Sequence, residues 1–217
     1  MKIAVMSGSL QDTASYAVEL ACSLGADQAE AGVSYNEGLS VTVRLGELES
    51  VERQRDRGLG VTVYTDGRKG SASTSDFSSK AVQEVVAKAA SISRFTNQDK
   101  FAGLADADLM ATTPSDLDLY HPWDLDVEAA EALALRSENA ARGLDARIKN
   151  SEGATVSTGG GFRVYANSHG FCNGYATTSH SLSCSVVADN NDSLERDYWY
   201  TVSRFPDGLD KPEQVGE

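Results

Sequence analysis

Val63-Tyr64-Thr65-Asp66-Gly67-Arg68-Lys69-Gly70-Ser71-Ala72-Ser73-Thr74 is the stretch that decides the fold. It reads as a strand ending in Val-Tyr, a two-residue Asp-Gly turn, and a second strand opening on Gly-x-Ala. Asp-Gly between β-formers is a strong hairpin signal, because both turn positions need positive φ. The phrase returns as Val164-Tyr165-Ala166-Asn167 and, after a longer turn, Gly174-Tyr175-Ala176-Thr177-Thr178. A hairpin written twice predicts one sheet assembled from two similar halves. The repeated residues are turn formers and β-formers, which shape a scaffold and break no bonds.

Working outward, Ala14, Ala17, Val18, Ala21 and Leu24 recur at helical spacing over 13–24, with Asp12 or Thr13 as cap and Gly25 as terminator. Strict alternation follows. Ala29, Ala31, Val33 and Tyr35 lead to a turn predicted at Asn36-Glu37-Gly38, then to Leu39, Val41, Val43 and Leu45. Strands are predicted near 48–56, 59–65 and 69–74. A helix over 79–95, capped by Ser78, carries a stripe of Val82, Val85, Val86, Ala89, Ile92 and Phe95. Residues 96–125 lack periodicity and contain Pro114 and Pro122, so they read as an irregular connection. A third helix spans 127–142 between Asp126 and Gly143. Strands return near 146–150, 154–158, 162–167, 171–188 and 194–204, with turns at Gly159-Gly160-Gly161, Ser168-His169-Gly170 and Asn190-Asn191-Asp192. Strands in runs with helices between them indicate an α+β fold: a mainly antiparallel sheet of two similar β-rich halves with helices packed on it. The duplication is expected over 27–97 and 127–205, within one N-terminal domain covering 1–217. A C-terminal domain is expected to lie outside this chain.

Composition narrows the function. With 19 basic and 32 acidic side chains the net charge is −13, which repels nucleic-acid phosphate. The one basic cluster, Arg53, Arg55, Arg57 and Arg68-Lys69, reads as a solvated sheet face. No apolar run reaches the roughly 18 residues of a membrane span, and Met1–Gly8 does not resemble a secretory signal. Cys22, Cys172 and Cys184 are scattered and odd in number, as expected of reduced thiols in a cytoplasmic protein.

Candidate chemistry is sparse. Three histidines, His121, His169 and His180, form no helical zinc pair; His169 reads as a turn residue and His180 as one side chain of a sheet face. Gly-x-Ser-x-Gly is absent, and Ser71, Ser73, Ser75, Ser78 and Ser79 have no base at recognisable spacing. The triplet Gly159–Gly161 lacks the Lys and Ser/Thr of a phosphate loop. Cys172 and Cys184 sit in predicted strands, away from any activating group. The acidic stretch around Asp106, Asp108, Asp116, Asp118, Asp124 and Asp126 lacks calcium-loop offsets. Catalytic, cofactor-binding and metal residues are therefore all expected to be none. The aromatic run Tyr198-Trp199-Tyr200 is different. Neighbours in a strand point to opposite faces, so either both faces are covered or one aromatic face meets a partner.

Several blocks resemble a known family. Gly60-Val61-Thr62-Val63-Tyr64 with Arg68-Lys69-Gly70-Ser71-Ala72-Ser73, Asp116-Leu117-Asp118-Leu119-Tyr120-His121-Pro122 and Asn150-Ser151-Glu152-Gly153 are similar to the N-terminal half of PmbA/TldE proteins. So are Asn167-Ser168-His169-Gly170, His180-Ser181-Leu182-Ser183 and Glu195-Arg196-Asp197-Tyr198, in the family's order from about residue 26 onward. The resemblance implies membership of the TldD/PmbA group, once labelled modulators of DNA gyrase. Its members form a TldD–TldE heterodimeric metalloprotease acting on unfolded peptides, with zinc and the His-Glu-x-x-x-His motif in the TldD subunit. The expectation is thus a non-catalytic subunit with no cofactor of its own, partnered by a zinc-bearing TldD-like chain or by itself. The alternative is a stand-alone protein-interaction module.

Overall fold

The computed structural model describes residues 2–217, with side chains from Ser7 onward. Helix α1 (Lys2–Ser23) precedes strands β1 (Gln28–Arg44), β2 (Glu47–Thr65) and β3 (Arg68–Thr74), then α2 (Ser79–Ser93). After an irregular segment with a 3-10 turn at Ala107–Leu109 come α3 (Val127–Leu144), β4 (Ile148–Asn167), β5 (Cys172–Asp189), β6 (Leu194–Ser203) and α4 (Pro212–Gly216). The strands form one six-stranded sheet in the order β3-β2-β1-β4-β5-β6, so the fold is α+β.

The hairpin read from Asp66-Gly67 is present. Both residues have positive φ, 52° and 67°, and Thr65 pairs with Arg68 across a two-residue turn. The second Val-Tyr copy lies on β4 and β5. The element order runs helix, three strands, helix, twice over, and the two copies stand at different places in it. The first occupies the second and third strands of its set, the second the first and second of its own.

Several expected turns are strand. Asn36-Glu37-Gly38 lies inside β1, where burial alternates in one phase from Ala29 to Val43, the mark of a single strand. Gly159-Gly160-Gly161 lies inside β4. These glycines allow close approach of backbones: a Cβ on Gly38 would meet Thr158 O at 3.1 Å, and one on Gly159 would meet Glu37 O at 3.3 Å. Ser40–Ser157 and Thr42–Thr155 hydroxyl pairs, both 2.9 Å, step in opposite directions along β1 and β4, which therefore run antiparallel. The strands expected as 48–56 and 59–65 are likewise one strand, β2.

Helix ends also differ in part. α1 begins before Asp12, so neither Asp12 nor Thr13 caps it, and Thr13 Oγ1 instead donates to Ser9 O at 2.8 Å. Its end follows the expectation: Gly25 adopts φ 94°, with Ala26 N–H donating to Ala21 O and Gly25 N–H to Cys22 O. Ser78 and Asp126 cap α2 and α3 by accepting from Ala81 and Ala129 N–H. Gly143 falls within α3 and terminates nothing. On α2, Val82, Val85, Val86 and Ala89 are buried, but the buried stripe ends on Ser93, close against Gly70 of β3; Ile92 is exposed, and Phe95, also exposed, follows the helix end.

The chain divides into two compact units, each with its own core. The first comprises residues to Asn36, Asp56–Asp118 and Gly161–Ala176. Here Leu10, Ala14, Ala17 and Val18 of α1 and the valines of α2 cover Ala31, Val33, Leu59, Val61, Val63 and Val164. The second comprises Glu37–Arg55, Leu119–Gly160 and Thr177–Glu217. There Ala130, Ala134 and Ala141 of α3 and Val215 of α4 cover Leu39, Val41, Val43, Ala154, Val156 and Leu182. No helix among the described residues is long and apolar enough to cross a membrane.

Candidate functional site

In the first unit the tyrosines of the two Val-Tyr copies meet at one carboxylate. Tyr64 donates to Glu30 Oε1 at 2.9 Å and Tyr165 donates to Glu30 Oε2 at 2.8 Å. Alternation produces this: Ala29 and Ala31 point into the core, so Glu30 points to the other face of β1. Burial pushes the Tyr64 phenol up to about 12, and the bond it donates to Glu30 adds to the shift. Burial and the same carboxylate raise Tyr165 as well.

Tyr64 also lines a cleft of about 550 Å³ with Lys69, Ser71, Thr96, Asn97, Asp99 and Phe101. Its outer wall, residues 96–104, is tied to the hairpin turn and to β1. Asp99 N–H donates to Gly67 O at 2.7 Å, Gln98 Nε2 to Asp66 O at 3.0 Å, and Leu104 N–H to Gln28 Oε1 at 2.8 Å. Gly67 is required twice, for its positive φ and because a Cβ would meet Asp99 O at 3.1 Å. Strand β3, which supplies Lys69 and Ser71, closes one end of the strand order. An amine, hydroxyls, an amide and one phenol suit the donors and acceptors of an extended peptide backbone.

In the second unit β6 ends the strand order on the other side, and Tyr198, Trp199, Tyr200 and Val202 are between 57% and 62% exposed. Trp199 stands opposite Cys184 on one face of the sheet; Tyr198 and Tyr200 stand opposite Ser185 and Ser183 on the other. On the Trp199 side, a groove of about 660 Å³ is floored by Leu144, Ile148, Cys184 and Val186. Of the two outcomes left open for the aromatic run, the sheet is not covered here on both sides.

His169 and His180 belong to different units. His169 sits in the β4–β5 turn of the first unit, and His180 is buried in the second. His180 Nε2 bonds the His121 carbonyl at 2.9 Å, which only accepts, so Nε2 carries the proton and Nδ1 accepts from Thr158 Oγ1 at 2.8 Å. Trp123 packs edge-on against the His180 ring. His121 N–H donates to Thr178 Oγ1 at 2.9 Å, so His180 and Thr178 together pin residues 119–123 to β5. Burial of His180 is more complete than a sheet-face reading implies. Cys184 is buried, with its thiol pushed up to about 11 by burial, and Cys172 Sγ approaches Gln11 O at 3.7 Å. Ser78 caps α2 and Ser71 pairs with Thr62. Asp126 caps α3, and Asp116 accepts from the Asp118 N–H. Among the described residues no three His, Cys, Asp or Glu side chains are grouped to hold a metal ion.

Sequence reasoning missed Glu30, since a single acid in an alternating strand carries no signal until three strands bring the tyrosines to it.

Residues 29–93 match the model of PmbA/TldA metallopeptidase domain 1, and residues 120–217 match that of the PmbA/TldA metallopeptidase central domain. The metalloprotease PmbA homolog of Haemophilus influenzae is 48% identical over 208 residues, covering 96% of this chain and 46% of that protein. The metalloprotease PmbA of Escherichia coli O157:H7 is 46% identical over 95% of this chain and 46% of its own length. The chain thus spans about half the length of the curated relatives it matches. Among solved structures, a proposed modulator of DNA gyrase from Bacteroides thetaiotaomicron superposes with a TM-score of 0.88 at 24% identity, over 97% of this chain and 48% of that one. TldE from Thermococcus kodakarensis superposes at 0.68 and 15% identity, over 93% and 46%. At such identities the structural likeness speaks for the fold.

Proposed function

The chain belongs to the PmbA/TldD metallopeptidase family, and from that premise we propose that it is a non-catalytic, TldE-type subunit walling a peptide-binding chamber. Its partner in this reading is a TldD-like metalloprotease subunit carrying the zinc, and the substrates are unfolded peptides. The observation that carries it is the polar cleft beside β3, where Lys69, Ser71, Asn97 and the Glu30-bound Tyr64 offer hydrogen bonds to an extended backbone. Among the described residues no three His, Cys, Asp or Glu side chains are grouped to hold that zinc. The gyrase connection is then indirect, through proteolysis. Three free cysteines support a cytoplasmic setting.

Mixing the chain with a TldD-like subunit tests the proposal. Co-elution on size exclusion and a change in chelator-sensitive peptide cleavage are the expected outcome. Separate elution together with unchanged cleavage rates would overturn it.

A further inference from the structure

We infer that the outer sheet face of the first unit holds a subsite for a primary ammonium group of a bound peptide, with the Glu30 carboxylate as counter-charge and Gly32 and Gly60 as floor. The inference rests on the reading of this chain as a peptide-holding subunit and goes beyond it in naming what the peptide carries.

Gly38, Gly159 and Gly161 lie where strand backbones crowd, but a Cβ on Gly32 or Gly60 would meet nothing within 4 Å, and both residues are exposed. Glycine inside a strand weakens it and marks a bulge or the close approach of another group. Burial keeps its alternation on either side of each, so neither marks a bulge. An approaching group is the use that is left.

The two glycines stand side by side. A Cβ on Gly58 would lie 3.6 Å from Ser34 Oγ, which sets Ser34 opposite Gly58 and, two residues on, Gly32 opposite Gly60. On the other side of β1, Ser168 N–H donates to Ala29 O at 2.9 Å, and a Cβ on Gly161 would meet the Asn36 side chain. That register sets Tyr165 opposite Gly32. Glu30 is two residues along β1 from Gly32, on the same face.

Glu30 is partly buried, yet among the described residues it forms no ion pair with a lysine or arginine, whereas Glu152 and Glu213 each pair with an arginine. Both phenols direct their protons to it, at 2.9 and 2.8 Å. The three side chains therefore offer a ligand one negative charge and acceptor lone pairs, and no donor. An ammonium group answers that set with three donors, no acceptor and a positive charge. The Tyr165 ring, 37% exposed, adds a π-face that attracts a cation. Lys69 is two strands away on β3. Arg163, exposed on β4 opposite Ser34, supplies donors for the carbonyl groups of the same peptide.

Amide NMR titration of the 217-residue chain, following Gly32 and Gly60, is the test. The probes are a pentaalanine amide with a free N-terminus, its N-acetyl form, and an N-acetyl form with lysine at the centre. The free-amine peptide is expected to shift both glycine signals and to bind roughly tenfold tighter than the acetylated one, the worth of a hydrogen bond to a charged group. If the lysine peptide regains the tight binding, the ammonium is a side chain's; if it does not, the ammonium is the N-terminal one. Glu30→Gln is expected to abolish the preference while binding of the acetylated peptide stays unchanged. Gly32→Val, whose methyl groups enter open space, is expected to keep the wild-type urea midpoint and lose the Gly60 shift. Equal affinity for free and acetylated peptides, a preference that survives Glu30→Gln, or shifts confined to the cleft beside Lys69 would each overturn the subsite and leave the subunit role standing. No shift from any of the three peptides would overturn the subsite too. The subunit role is read separately, by co-elution with a TldD-like subunit.

Discussion

Glu138 on α3 is fully buried, yet it occupies a place in the helix that is apolar on α1. The buried positions Leu10, Ala14, Ala17, Val18 and Ala21 recur at the same spacing as Ala130, Ala134, Ser137, Glu138 and Ala141, so Glu138 corresponds to Val18. Its partners explain the charge. Leu45 and Gly46, at φ 54° and 85°, turn successive N–H groups to one side, and Glu138 accepts both at 2.7 and 2.8 Å. Removing the carboxylate takes the acceptor from both turn N–H groups and leaves a hole where a fully buried side chain stood. Glu138→Ala is therefore expected to destabilise the fold by about 2–4 kcal/mol, read as a lowered urea midpoint, while Val18→Ala should cost only what a cavity costs. Tyr64 provides a prediction in pH. Its folded value, about 12, lies above the ordinary 10, so the fold favours the neutral phenol. The stability it contributes is complete below pH 10 and is lost as pH rises toward 12. In a spectrophotometric titration Tyr64→Phe should delete the highest-pH component, and Glu30→Gln should move that component down. A titration unchanged by Glu30→Gln would refute the shared-carboxylate account.

Among the elements, β1 and β4 show where local reading stops. Their alternation is legible: Ala29 to Val43 and the strand residues of 154–167 carry it in the sequence, and Ser78, Asp126, Gly25 and Asp66-Gly67 mark ends that the structure keeps. Glycine is ambiguous, because a turn and a close backbone approach select it for the same missing Cβ. The choice belongs to the neighbouring strand, which sequence spacing does not reveal. Gly161→Ala is expected to cost about 1–3 kcal/mol by overpacking, since its Cβ would lie 2.6 Å from Tyr35 O. Gly32 on β1 has open space where a methyl group would sit, so Gly32→Ala should change stability by less than about 0.5 kcal/mol. Equal losses at the two sites, measured by chemical denaturation, would sink this distinction. The stripe of α2 takes a different last residue from the one expected: Gly70 of β3, lacking a Cβ, admits Ser93, which is buried, while Ile92 is exposed and Phe95 lies beyond the helix end.

For the molecule as a whole, charge makes the broadest prediction. A net −13 should prevent retention of duplex DNA at physiological salt despite the arginines of β2, and a mobility-shift titration that shows a complex would contradict it. The sequence by itself determined the class of fold, the reduced state expected of its thiols, the family, and the lack of a recognisable catalytic motif. Each of these is written in local spacing: period 2 and period 3.6, capping residues, and blocks of residues in a constant order. Only the tertiary structure decided that Tyr64 and Tyr165 share Glu30, that His180 is locked between Thr158 and the His121 carbonyl, and that Glu138 closes the β1–β2 turn. The physical reason is distance along the chain. Glu30 and Tyr165 are 135 residues apart and Leu45 and Glu138 are 93 apart. Such contacts exist only once strand order and register are set by packing. The repeated Val-Tyr phrase is legible as two hairpins, while its chemical use, two phenols on one carboxylate, is a property of the assembled sheet.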